Sequence, residues 1–191
     1  VERVSSTQIA KQLNVDSSQI AKDLSFLNIR GKTRIGYDVA RLQSALVAFL
    51  GFTQEHRAVI IGVGSLGAAL LRDSGLMRYG LHIVAGFDID RAKFGRNFPG
   101  TNIPVYDPER MSEMIPELHA EIGIICVPHS EAQTMADAAV AAGVKALWNF
   151  TPHRLQSVPG VVIQDTSIYS HLAVMYNRLD NIVSRQTESE Q

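Results

Sequence analysis

Residues 58–67 read A-V-I-I-G-V-G-S-L-G: an apolar run closes on Gly62, and Gly64 and Gly67 open the stretch that follows. A G-x-G-x-x-G spacing between a strand and a helix confines the chain to folds that bring a tight turn up to a pyrophosphate. The first glycine permits the turn, the second lets the backbone approach the phosphates, and the third packs the helix against the strand. The helix then presents free N–H groups and a partial positive end. Gly62, Val63, Gly64, Ser65, Leu66 and Gly67 are therefore expected to bind a dinucleotide. A second apolar strand, His82 to Phe87, ends in Asp88, 21 residues after Gly67. A carboxylate there can accept hydrogen bonds from both ribose hydroxyls. It would also repel a 2′-phosphate, and no Arg directly follows it, so NAD(H) is favoured over NADP(H). Asp90 points to the opposite face if the strand continues and reads as a turn or cap residue.

Around this motif the chain alternates strand and helix. Apolar strands are expected at Ala58–Gly62, His82–Phe87, Ile122–Val127 and Ala146–Phe150, with helices at Leu66–Leu71 and Ala132–Ala142. That rhythm predicts an α/β domain, a Rossmann-type parallel sheet with covering helices. Ligands of such sheets lie at the carboxyl ends of the strands, which adds Val127, Pro128, Asn149 and Thr151 to the cofactor-binding candidates.

The front of the chain differs. Ile9, Ala10 and Leu13 sit at helical spacing behind Ser5, Ser6 and Thr7, and a second helix opens at Ser17 or Ser18 with Ile20, Leu24 and Leu27 on one face. Ile29 to Tyr37 interleaves glycines with cations and suits a tight β-hairpin, and Asp38 to Gly51 reads as a capped amphipathic helix. Helix, turn, helix, basic hairpin is the winged-helix order. Residues 1–56 carry seven Lys and Arg against five Asp and Glu, although the whole chain is at -1. Between Ser17 and Tyr37, Lys22, Arg30, Lys32 and Arg34 face only Asp23, a charge that can sit on phosphates. The expected domains are a winged helix over residues 1–52, a Rossmann domain over 57–165 and a C-terminal helix over 166–185. In that helix Ile168, Leu172, Met175, Leu179 and Ile182 form a narrow apolar stripe, too narrow for a helix buried all round, which predicts a homodimer.

No apolar run approaches the roughly 20 residues that span a bilayer, so a cytoplasmic location without membrane contact is expected. Cys126 lies within an apolar run and reads as a buried, inert thiol. No metal-ligand cluster, paired carboxylates or nucleophile motif is visible, and no metal is expected. The runner-up is a small NAD-dependent oxidoreductase with His129 or His153 as its acid/base group, but residues 57–165 leave no second domain to enclose a substrate. A CoA- or nucleotide-binding module is the third class.

Taken together, Q-I-A-K-D-L-S-F-L from Gln19, G-K-T-R-I-G-Y from Gly31, G-V-G-S-L-G from Gly62, F-D-I-D from Phe87 and W-N-F-T-P from Trp148 resemble the Rex family of redox-sensing repressors over nearly the whole chain. The resemblance implies a transcriptional repressor rather than an enzyme. It implies homodimers joined by the C-terminal helix, double-stranded operator DNA bound with NAD+ or no cofactor, and release by NADH. By position, Ser17, Ser18, Gln19 and Lys22 would face DNA, with Lys32 and Arg34 on the wing. Where relatives carry a cation before the Lys, this chain has Ala21, which removes a phosphate or base contact. Relatives also carry a helix before the segment that starts at Val1, and the missing initiator Met predicts a trimmed chain that binds DNA weakly by itself. Near the cofactor's redox end, where relatives carry an acid, stand Asp165 and Ser167; both equally suit capping of the last helix.

Overall fold

Ser5 separates a short strand, β1 (Arg3–Val4), from the first helix, α1 (Ser6–Leu13). Its hydroxyl accepts from the Gln8 N–H while the Gln8 side chain accepts from the Ser5 N–H, a reciprocal cap that fixes the helix start. Asn14, left-handed at φ 53°, ends α1, and Asp16 caps α2 (Ser17–Ser25). In the computed structural model, residues 2–27, 29, 31, 35–156 and 159–189 are described, the last eight as backbone alone. Ala10, Ile20, Leu24 and Leu27 form one small core with Leu42 of α3 (Val39–Phe49), which Asp38 caps.

Beside the expected first helix the opening residues also carry a strand: β1 pairs antiparallel with β2 (Tyr37–Asp38), Val4 opposite Tyr37. Tyr37 thus finds its partner at the chain's front, a long-range pairing that no local pattern reveals. Residues 28, 30 and 32–34 of the expected hairpin, Lys32 and Arg34 among them, lie outside the described residues.

The chain divides into two units, residues 1–55 with 78–80 and residues 56–77 with 81–191. The excursion at 78–80 belongs to the first because Tyr79 meets Phe52 edge-on, ring centroids 5.0 Å apart, and Gly80 passes against the Gln54 carbonyl.

The second unit begins with β3 (His56–Ile61), α4 (Ser65–Arg72), β4 (Leu81–Phe87), β5 (Arg96–Asn97), β6 (Pro104–Tyr106) and α5 (Met111–Glu117). It continues with β7 (Ile122–Ile125), α6 (Ala132–Ala141), β8 (Ala146–Asn149), β9 (Val162–Asp165) and α7 (Ile168–Ser189). The strands form one sheet in the order β5-β6-β4-β3-β7-β8-β9. All neighbours are parallel except β5, which runs antiparallel to β6. The sheet is therefore Rossmann-like with an antiparallel edge, and β5, β6, α5 and β9 are additions to the sequence rhythm. The two and three residues of β5 and β6 are too few to show a period, and Pro116 disguises the last turn of α5.

Strand alternation sorts the core. Val59 and Ile61 face Met111, Met114, Ile115 and the alanines of α6, whereas Ala58 and Ile60 face Leu71 of α4 and Phe98. Both faces of β3 are thus covered, and its carboxyl end, where Gly62 follows, is held between its two parallel neighbours.

Candidate functional site

Gly62 leaves β3 with φ +95°, and its N–H donates to the Phe87 carbonyl at 2.8 Å. A Cβ here would lie 2.7 Å from the Cys126 carbonyl oxygen, so both dihedral and space demand glycine. Gly67, inside α4, approaches so closely that a Cβ would overlap the Gly62 carbonyl oxygen. Gly64 is different. It occupies the N-cap of α4 without a side-chain cap, and a Cβ would point into open space. The helix start is left to an outside partner, and its N–H groups and dipole favour an anion there.

That open space belongs to a cavity of about 670 Å³, inside the usual range for small-molecule sites. Gly62, Gly64, Val127 and Pro128 wall one part; Asp88, Ile89, Lys93 and Pro108 wall another. The Asp88 carboxylate is mostly buried and heavily engaged. Oδ2 accepts from the Val63 N–H at 2.8 Å and from Lys93 Nζ at 2.9 Å, and Oδ1 accepts from the Asp90 N–H at 2.9 Å. Burial raises its pKa, but hydrogen bonds from Asp90, Lys93 and Val63 outweigh that and hold it below the ordinary carboxylate value. Lys93 Nζ also donates to the Val63 carbonyl at 3.0 Å, which ties the turn after β4 to the glycine loop. Cys126 lines the cavity too, its thiol pushed up to about 12 by burial and hence protonated and unreactive.

The expected loop residues divide by role. Val63 is buried and contributes its backbone; Ser65 and Leu66 stand exposed on the first turn of α4; Gly67 packs beneath it. Asn149 and Thr151 do not line the cavity. Asn149 is fully buried, its amide donating to the His153 carbonyl (2.7 Å) and Asp165 Oδ1 (2.8 Å) and its carbonyl accepting from Thr151 N–H and Oγ1. These bonds use the full capacity of the side chain, so in this structure it fastens β8 to β9. Thr166 donates its N–H to the Asn149 main-chain carbonyl, and its hydroxyl accepts from Trp148 Nε1 at 2.9 Å. Ser167 accepts from the Ser170 N–H and so caps α7, whereas Asp165 lies on β9. His129 and His153 meet edge to face, centroids 4.9 Å apart, but neither lines the cavity.

Lys93, Ile89 and Pro108 were not singled out in the sequence. The signal for Lys93 is its place five residues after a strand-end acid, in a turn short enough to fold back. In the first unit Ser17, Ser18, Gln19 and Lys22 are all exposed on α2, with Ser18 engaged to Asp16 and Gln19 to Asp23. Among the described residues no group of three His, Cys, Asp or Glu is placed to hold a metal ion, and no helix is long and apolar enough to cross a membrane.

Residues 53–153 match the CoA binding domain family, and residues 1–25 match the family described as putative DNA-binding protein N-terminus. A redox-sensing transcriptional repressor Rex from Bacteroides thetaiotaomicron is 52% identical over 93% of this chain and 80% of its own length. One from Treponema denticola is 38% identical over 93% of this chain and 85% of its own. The crystal structure of RSP in complex with β-NAD+ and operator DNA is 30% identical with a TM-score of 0.88, covering 100% of this chain and 87% of that one. RSP in complex with β-NADH matches at 32% identity and a TM-score of 0.86, covering 98% of this chain and 86% of that one.

Proposed function

The chain belongs to the Rex family of redox-sensing transcriptional repressors, and from that premise we propose that it holds operator DNA with NAD+ or no cofactor bound and lets go when NADH fills the cavity behind Gly64. The observation that carries this reading is the junction of an uncapped helix start, a cavity of about 670 Å³ and a strand-end carboxylate. A dinucleotide needs all three: phosphates against N–H groups, volume for two nucleosides, and an acceptor for ribose hydroxyls. NAD+ and NADH, the cofactors in the RSP complexes, suit that set. Gly62, Val63, Gly64, Ser65, Leu66 and Gly67 serve as the phosphate loop, Asp88 reads the ribose, and Val127 and Pro128 border the chamber. Asn149 and Thr151 act from behind by fixing the end of β8.

The nicotinamide ring carries a positive charge in NAD+ and none in NADH, and this is the difference to be sensed. The protein's share is to bind the cofactor and present DNA-reading helices. Ser17, Ser18, Gln19 and Lys22 of α2 face DNA in this reading, with Lys32 and Arg34 joining them on the wing. The chain works as a homodimer through α7, supported by the apolar side chains that helix leaves exposed, Ile168, Met175 and Leu179 among them. Sensing requires no turnover, and His129 and His153, the acid/base groups an oxidoreductase would use, stand outside the cavity lining. CoA binding is the second reading, favoured by the matched domain family alone.

The test is to select duplexes from a random pool and titrate NADH at fixed salt. Operator affinity should fall at least tenfold, roughly 1.4 kcal/mol, with no substrate-dependent NADH oxidation. Equal affinity with and without NADH overturns the sensor reading, and CoA binding without NADH binding favours the alternative.

A further inference from the structure

Hydrogen-bond capacity at the ribose end of the cavity does not add up for Asp88 alone. An ionised carboxylate has about four acceptor positions, and an ammonium has three donors. Three acceptor positions of Asp88 are already taken, two on Oδ2 by the Val63 N–H and Lys93 and one on Oδ1 by the Asp90 N–H. One remains, on Oδ1. Lys93 spends two donors, on the Val63 carbonyl and on Asp88, and its distance of 3.8 Å to Asp90 Oδ2 is too long for a third hydrogen bond. One donor remains, in the cavity wall. The corner therefore offers one acceptor and one donor, and its two charges largely cancel.

We propose that Lys93 reads the ribose jointly with Asp88 and sets which dinucleotides the cavity takes. Asp88 Oδ1 receives one ribose hydroxyl and Lys93 Nζ donates to the oxygen of the other. The inference rests on the NAD(H) reading above. It revises the expectation that the carboxylate alone accepts from both hydroxyls, and it gives Lys93 a role in specificity. A 2′-phosphate meets a carboxylate that repels it and an ammonium already committed to that carboxylate. Remove the charge of Asp88, and the side chain that remains at 93 decides the outcome. With Lys93 in place, a half-buried ammonium released from its partner becomes a phosphate donor; with an apolar residue there, it does not.

The experiment is a double-mutant cycle read by calorimetry with NADH and NADPH, on wild type, Asp88→Asn, Lys93→Met and the double variant, folding being checked by circular dichroism. In wild type NADH should bind well ahead of NADPH. Asp88→Asn should narrow the NADPH-to-NADH ratio of Kd at least tenfold. In the Lys93→Met background the same change should narrow it less than threefold. Lys93→Arg, which keeps the charge and the reach, should hold the wild-type preference, so the proposal stays testable if Lys93→Met fails to fold. Equal narrowing in both backgrounds, or loss of preference in Lys93→Arg, overturns the inference while leaving NAD(H) binding intact. A wild-type protein that binds neither nucleotide overturns the reading beneath it.

Discussion

The three glycines of the motif differ in what surrounds them, and substitution should separate them. Gly64→Val adds atoms that meet nothing in the protein, at a φ of -79° that any residue adopts. The free protein should keep its stability within about 0.5 kcal/mol, whereas NADH affinity should fall at least a hundredfold, roughly 2.7 kcal/mol, because the cavity's phosphate end is filled. Gly67→Ala drives a methyl into the Gly62 carbonyl and should cost the free protein about 1–3 kcal/mol, whether or not ligand is present. Thermal melts without nucleotide, then calorimetry with it, read the two effects apart; equal destabilisation by both would show that Gly64 is packed rather than open. Gly62, Gly67 and Asp88 were legible in the sequence because a turn, a close approach and a strand-end acid leave few residue choices. Lys93 was not, since its place at the site depends on a turn that folds back onto the glycine loop. Asn149 was legible as a strand-end residue only; period-two alternation does not tell whether a terminal side chain turns to the cavity or to the next strand.

Among elements, the long ones were readable and the short ones were not. The sequence pattern places α3, α4, α6 and α7 within a few residues of their observed limits, because an apolar face repeated over several turns leaves a period. β1, β5 and β6, with two or three residues each, exist by virtue of partners far along the chain. α7 is the element with most left to explain. Ile168, Tyr169, Met175, Tyr176 and Leu179 are all more than half exposed, and Leu172 is partly so. An apolar row of that length on one helix calls for a second helix against it. If α7 forms the proposed dimer seam, replacing Leu172 and Met175 with Glu should leave monomers in sedimentation equilibrium, because two unpaired carboxylates would be buried there. A dimer of unchanged affinity would place the contact elsewhere. The side chain of Ile182, the last member of the expected stripe, lies outside the described residues.

At the scale of the whole molecule, thermodynamic linkage constrains the switch more tightly than any contact does. If NADH weakens operator binding tenfold, the operator must weaken NADH binding tenfold, whatever route connects them. Calorimetric titration of NADH into the free protein and into its operator complex should return the same factor as the operator titration. A mismatch would mean that a third component, such as a change of oligomeric state, is hidden in one arm. The two recognition helices of a symmetric dimer must stand about one DNA turn, ~34 Å, apart, so a modest subunit rotation suffices to take them out of register. The ties at the root of α7 bear on this. Trp148 and Asn149 both hydrogen-bond Thr166, and Asn149 also hydrogen-bonds Asp165, so the chain is tied to the sheet two residues before α7 begins. A lever delivers displacement only if its fulcrum stays put. Were the sheet to tilt by a few degrees with this fulcrum held, the far end of the 22-residue helix, about 33 Å away, would shift by ångströms.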